Sequence, residues 1–369
     1  MLRVRCMIIA LVLLLLAPPA SAASAKPLSG GESRYPHAIR LAHGRFAGDV
    51  VVSVNNWRET QIYRGRRSFK LVAKFTDPEA AASSMCCAHI YELPSRVGAL
   101  PAGTLLWAGS TGFKDVGMSL RVWRSLDGGS SWSFLSTCAS SSGGIWEPEL
   151  SVDASGRLVC HFADEEDWRT HSQVLSRTFS VDGVSWSAKT YTVAVQPRGY
   201  RPGMAHVRRL PGGSYFMTYE ICGQRDQYFC SSFFRTSADG WDWGSPDFPG
   251  TPLRSREGRY FAHTPSIALG PGGRLVLTGQ MLMHPSGKVD SLNGARLFIN
   301  DRGGAGEWYE APAPVPVPSA RDVNCPNYHP ALVVAGNGES VLEFASDYDS
   351  SGLCVTRYAS GPLPAVGQG

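Results

Sequence analysis

A proline that opens a short apolar run recurs six times in this chain, each time ahead of a glycine turn and a second apolar run. The marks are Tyr35-Pro36, Leu93-Pro94, Glu147-Pro148, Arg201-Pro202, Thr264-Pro265 and His329-Pro330, spaced 58, 54, 54, 63 and 65 residues apart. A period of that size over most of a chain implies stacked copies of one unit rather than several unlike domains. The strands between marks are short and rich in Val, Leu, Phe and Tyr, with no sustained helical period. The expected class is all-β, a six-bladed β-propeller.

A second mark keeps phase with the first. Ser125-Leu126-Asp127-Gly128, Ser180-Val181-Asp182-Gly183 and Ser237-Ala238-Asp239-Gly240, each with a following Trp, share one pattern; Asn300-Asp301-Arg302-Gly303 with Trp308 is a looser copy. Their aspartates fall 33, 34, 37 and 36 residues after the proline of the same repeat. An aspartate that accepts turn amides, a glycine at positive φ and a tryptophan packed under the next sheet describe a tight turn. We place it between the third and fourth strands of a blade. The alternating carboxylates of a calcium loop are missing.

Residues 1–22 have a basic start, an apolar run to Leu16 and small residues at Ala20-Ser21-Ala22. They read as a secretory signal too short for a lasting membrane span. The expected mature chain is then one propeller over residues 23–369, exported to the extracellular space or periplasm and monomeric. Removing Arg3 and Arg5 lowers the net charge from +4 to +2, which implies neither nucleic acid nor an anionic membrane as partner. Eight of nine cysteines remain after Cys6 leaves, an even count that suggests disulfides in an exported protein. Cys222 and Cys230 flank a short loop they could close, and Cys325 and Cys354 bracket the last repeat's first strands. Pairing among Cys86, Cys87, Cys138 and Cys160 stays open, and no metal-ligand spacing accompanies them. The proline-rich stretch 311–318 lies within the period and reads as an extended link between blades five and six. Because the chain ends near where the last repeat's third strand should turn, an edge would stay open; residues 26–34 are expected to supply the missing strand.

Innermost strands of a propeller line one funnel, so residues just before each proline are candidate site groups: Arg34 and Tyr35, Glu92 and Leu93, Trp146 and Glu147, Tyr200 and Arg201, His263 and Thr264, Tyr328 and His329. Second-run ends add Asn55, Ser110, Asp164, Glu165, Glu220, Gln280 and Asp347. This is more polar and aromatic than strand starts require, as sugar-binding clefts are. Two carboxyls across a funnel suit glycoside hydrolysis, and Glu147 with Glu220 is the pair selected, with Tyr219 or Tyr328 tuning Glu220. The acidic run Asp164–Asp167 reads as a solvated loop. No serine-nucleophile elbow, zinc-binding HExxH or phosphate loop occurs, and no cofactor or metal is expected.

The aspartate turns and the Arg34-Tyr35-Pro36 start resemble the sialidase superfamily of propellers over nearly all of the mature chain. Trp146-Glu147-Pro148, Arg201-Pro202-Gly203-Met204 and Tyr219-Glu220 are similar to the glycoside hydrolase family 93 exo-arabinanases. The resemblance implies retaining release of a disaccharide from α-1,5-linked arabinan. It implies Glu147 as acid/base, Glu220 as nucleophile and Tyr328 as the tyrosine beside it, with Arg34, Trp146, Tyr200, Arg201, His263 and Gln280 binding an oligo- or polysaccharide. Two rivals stand. A sialidase would need an aspartate acid in the first blade, where Asn55-Asn56 stands, and a third arginine, for which Arg254, Arg256 and Arg259 are candidates. A non-catalytic glycan-binding propeller would keep Trp146, Tyr200 and Tyr328 without needing both glutamates.

Overall fold

The computed structural model describes residues 24–80, 84–224 and 228–367; the secretory-signal reading falls outside them. Six antiparallel sheets each run outward from an innermost strand, in sequence order except that the sixth takes its outer strand from the N-terminal stretch and the fourth carries the added strands Tyr260–Ala262 and Met281–Met283. The innermost strands are Arg34–Arg40, Ser84–Glu92, Ile145–Val152, Arg201–Arg209, Ser266–Leu269 and Ala331–Val334. Each touches the next, and the sixth touches the first, which closes a six-bladed propeller. Blade faces are apolar and pack against their neighbours: Leu106, Leu120 and Val122 of blade two meet Leu150, Leu158 and Phe162 of blade three in one buried cluster.

The N-terminal stretch supplies the outer strand of the sixth blade, as the sequence suggested. Lys26–Pro27 pairs with Cys354–Pro362, and Leu28 and Ser33 donate backbone bonds of 2.8 and 2.9 Å to Thr356 and Cys354. The aspartate turns sit between third and fourth strands. Asp182 accepts the Val184 and Ser185 amides at 2.7 and 2.8 Å, and these hydrogen bonds lower its pKa to about 2. In the looser copy the roles move by one residue: Asn300 Oδ1 accepts the Arg302 and Gly304 amides, whereas Asp301 turns to Arg274 and Tyr309. The stretch after Tyr309–Pro312, expected as an extended link, instead bends at Pro314 and Val315, with Val315 and Val317 buried against Ala345 and Ala359.

The proline mark needs correcting in blade two. Leu93-Pro94 follows the innermost strand instead of opening it, and Glu92 caps the Ala42 and His43 amides far from the funnel mouth. What recurs in all six blades is a non-glycine residue at positive φ: Tyr35 (50°), Cys87 (59°), Glu147 (59°), Met204 (57°), Thr264 (46°) and His329 (55°). In blades one to four the strand bulges there, with register breaks between Arg34 and His37, Cys86 and His89, Trp146 and Glu149, and Gly203 and His206. Such a conformation costs on the order of 1–3 kcal/mol per residue and gathers where a site must aim side chains.

Candidate active site

The left-handed bulges swing backbone N–H groups into the funnel, where side chains of the preceding blade accept them. Met204 N–H of blade four donates to Glu147 Oε2 at 2.9 Å, and Thr264 N–H of blade five donates to Glu220 Oε2 at 2.5 Å. His329 N–H of blade six donates to the Thr264 hydroxyl at 3.1 Å. Glu147 sits on its own bulge and Glu220 on the second strand of the next blade, Tyr215–Cys222.

Gly203 separates the two carboxyls. A Cβ there would lie 3.3 Å from Glu147 Oε2, 3.8 Å from Glu220 Oε1 and 2.8 Å from Gln173 Nε2, so only glycine leaves room for all three. The two carboxylate oxygens therefore stand no farther apart than those first two distances together. Removal from bulk water raises Glu147 to about 7; the same effect, then the Glu147 charge, raises Glu220 to about 8. The Glu147 charge thus bears on Glu220, and both carboxyls are held above the usual carboxylate range. The Tyr328 and Tyr35 hydroxyls are held neutral, chiefly by burial and then by the Glu147 charge.

Two residues along the same strand, Glu149 meets the opposite surroundings. Burial raises its pKa, but His89, Arg208 and His206 outweigh this and hold it well below the usual range. It accepts Arg208 Nη1 at 2.7 Å and the Val207 amide at 3.0 Å. Environment thus separates a structural carboxylate from one poised to hold a proton. His37, His89 and Glu149 bring possible metal-donor atoms within 4.8 Å of one another. Leu150 N–H donates to His89 Nδ1 at 2.9 Å, which puts the ring proton on Nε2, facing Glu149 Oε2 at 2.9 Å. That ring has no lone pair left for an ion. The second donor group, around Glu220 and His263, has its cysteines joined as Cys222–Cys230.

A cavity of about 470 Å³ has Glu147 in its wall, while Glu220 lies buried outside that lining. Arg34, Tyr35, Trp146, Glu147, Arg201 and Tyr328 line it, as the sequence suggested. Tyr200 instead packs beside the Ala163 and Ile221 core, outside that wall. His263 is nearly buried at the side of Glu220, with Nε2 3.5 Å from Asp322. Tyr219 cannot tune Glu220: strand alternation turns it into the core, where it donates to Pro249 O at 2.7 Å. Gln280 is also a correction. Fully buried, it donates to the Arg321, Val323 and Pro326 carbonyls and anchors that loop. Gln280→Leu should lower stability by about 1–3 kcal/mol, read from the urea midpoint, because three carbonyls lose their donor.

Sequence reasoning missed Trp57, Lys114, Gln173 and Asn324 in the cavity wall, and misread the acidic run. Asp164 and Glu165 are buried: Lys189 pairs with Asp164 at 2.8 Å, and Glu165 bridges Lys114 and Arg201. Lysine at 114 and 189 was the available signal, but their loops come from neighbouring strands and blades. Cys222–Cys230 and Cys325–Cys354 are bonded, and the remaining pairing resolves as adjacent Cys86–Cys87; Cys138 and Cys160 are buried thiols.

No protein-family model matches the chain, and no curated protein does. Solved structures do. The α-L-arabinofuranosidase of Fusarium graminearum bound to an iminosugar inhibitor superposes with a TM-score of 0.76 at 21% identity, over 93% of this chain and 97% of its own. The Penicillium chrysogenum α-L-arabinanase complexed with arabinobiose gives 0.76 at 24% identity, over 92% and 96%. A further structure of the Fusarium graminearum enzyme, described as a family 93 α-L-arabinofuranosidase with arabinobiose, gives 0.74 at 21% identity, over 90% and 93%. With the first two it shares the fold over more than nine-tenths of each chain. At these identities that likeness establishes the fold.

Proposed function

We propose that this chain is a secreted, retaining, exo-acting hydrolase of linear α-1,5-arabinan that releases arabinobiose. The observation that carries the reading is the Glu147–Glu220 pair across Gly203, with Glu147 in the cavity wall, Glu220 buried beside Gly203 and the neutral Tyr328 hydroxyl in the same wall. Glu147 would protonate the leaving oxygen and later activate water, and Glu220 would attack the anomeric carbon. Retaining enzymes place such carboxyls about 5–5.5 Å apart and inverting ones about 6.5–9.5 Å. The spacing bounded at Gly203 falls below most of the inverting range. Arabinobiose in the neighbouring Penicillium enzyme supports the choice of sugar.

A sialidase is disfavoured by where the arginines point. Glu165 neutralises Arg201, Glu32 neutralises Arg34, and Arg259 is held by Asp290 and Glu310. A substrate carboxylate would find these guanidinium groups already matched, whereas a neutral sugar needs no such grip. Incubation with linear arabinan and, separately, with a sialyl-oligosaccharide tests the choice. Arabinobiose is the expected product; free sialic acid would refute the reading.

The reaction needs one carboxyl protonated and one ionised. Turnover should peak between about pH 7 and about pH 8, where the pair holds one proton, falling below that window as both carboxyls become protonated and above it as both become ionised. A kcat/KM profile with both limbs checks this, and Glu147→Gln should erase the alkaline limb.

A further inference from the structure

The Cys86–Cys87 disulfide lines the same cavity as Glu147. It closes no loop: its sequence separation is one residue. Disulfide stabilisation grows with the length of chain it constrains, so a bond between neighbours adds almost none by that route. Its place is informative in another way. Cys87 occupies blade two's left-handed bulge, the position that Tyr35 and Glu147 fill in the adjoining blades. Those two both face the cavity, and Cys87 does likewise.

Bonding the sulfurs converts two polar thiols into one rigid, polarizable, apolar surface. Trp57, Trp146, Tyr35, Tyr328 and Met204 pack around it as a collar. Other parts of the wall are polar or charged, with Asn55, Gln173, Glu165 and Lys114. A sugar ring has the matching asymmetry, hydroxyls at its edge and C–H groups on a face. We infer that the Cys86–Cys87 disulfide is a specificity-determining wall of the sugar subsite beside Glu147, packing on the C–H face of the arabinose ring. This rests on the arabinan reading above. The disulfide takes no part in bond cleavage, so it should act on binding in ground and transition state alike.

The test compares the intact protein with the Cys86→Ala/Cys87→Ala variant on linear arabinan, with arabinobiose affinity by calorimetry and thermal unfolding recorded for both. KM should rise and arabinobiose affinity fall by about tenfold, with kcat within about threefold and Tm nearly unchanged. Unchanged KM and affinity, or changes only in step with a large fall in Tm, would overturn the inference. A crystal of the unmodified protein with arabinobiose keeps it falsifiable if the variant does not fold. Sugar carbons should lie within about 4 Å of the sulfurs, and a sugar seated elsewhere would overturn it. An unmodified protein that neither binds arabinobiose nor cuts arabinan would overturn the arabinan reading and this inference together. Normal arabinan cleavage with an indifferent disulfide would overturn this inference alone.

Discussion

Glu220→Gln should lower kcat on linear arabinan by roughly a thousandfold or more while leaving arabinobiose affinity within about threefold. The substitution keeps the shape of the side chain and an oxygen able to accept the Thr264 N–H, but it removes the carboxylate charge that makes the oxygen nucleophilic toward the sugar. Glu147→Gln should fall by a similar factor for a different reason, because the leaving oxygen departs unprotonated. An activated aryl arabinoside separates the two: its leaving group needs no proton, so Glu147→Gln should recover most of its first-step rate and Glu220→Gln should not. Full activity in Glu220→Gln on arabinan would remove Glu220 from the chemistry. Binding without turnover in the unmodified protein would favour the glycan-binding alternative.

Deleting residues 24–33 is the second large effect. The deletion strips the outer strand from blade six, exposes the edge of Cys354–Pro362 and removes Leu28 from the cluster it shares with Val52, Phe344 and Tyr358. It also removes the bond from Thr356 N–H to the Ser33 hydroxyl at 2.9 Å, besides the two backbone bonds that Leu28 and Ser33 donate. Burial of one leucine is worth about 2 kcal/mol and each buried hydrogen bond about 1 kcal/mol, so the loss should approach about 5 kcal/mol. That is comparable to a domain's whole stability, and the open edge invites pairing with another copy. The urea midpoint should fall sharply and size-exclusion chromatography should show aggregates. An unchanged midpoint would mean the clasp is dispensable.

The ring and much of its site were legible because the turns and funnel positions follow local rules. Asp127, Asp182 and Asp239 act through residues only a few places on, so spacing sufficed. Glu147 and Tyr328 could be located by counting from the prolines. Blade two failed because the conserved physical demand is a left-handed residue, which Cys87-Ala88 meets without a proline, as Met204-Ala205 does in blade four. The apolar run at Leu93-Pro94 imitated the mark. Gln280 failed differently: its position at a strand end was read correctly, but the loop 321–326 that covers it comes from 41 or more residues away. Glu165 was obscured for the same kind of reason, since its partners Lys114 and Arg201 belong to blades two and four.

Proton NMR of the first product formed from linear arabinan tests the central claim most directly, because it reads the substrate, the product and the stereochemistry at once. The geometry around Gly203 predicts arabinobiose that appears first as the α anomer and only later equilibrates. Arabinobiose appearing first as the β anomer would contradict the retaining roles of Glu147 and Glu220, and no arabinose-containing product at all would contradict the assignment of substrate.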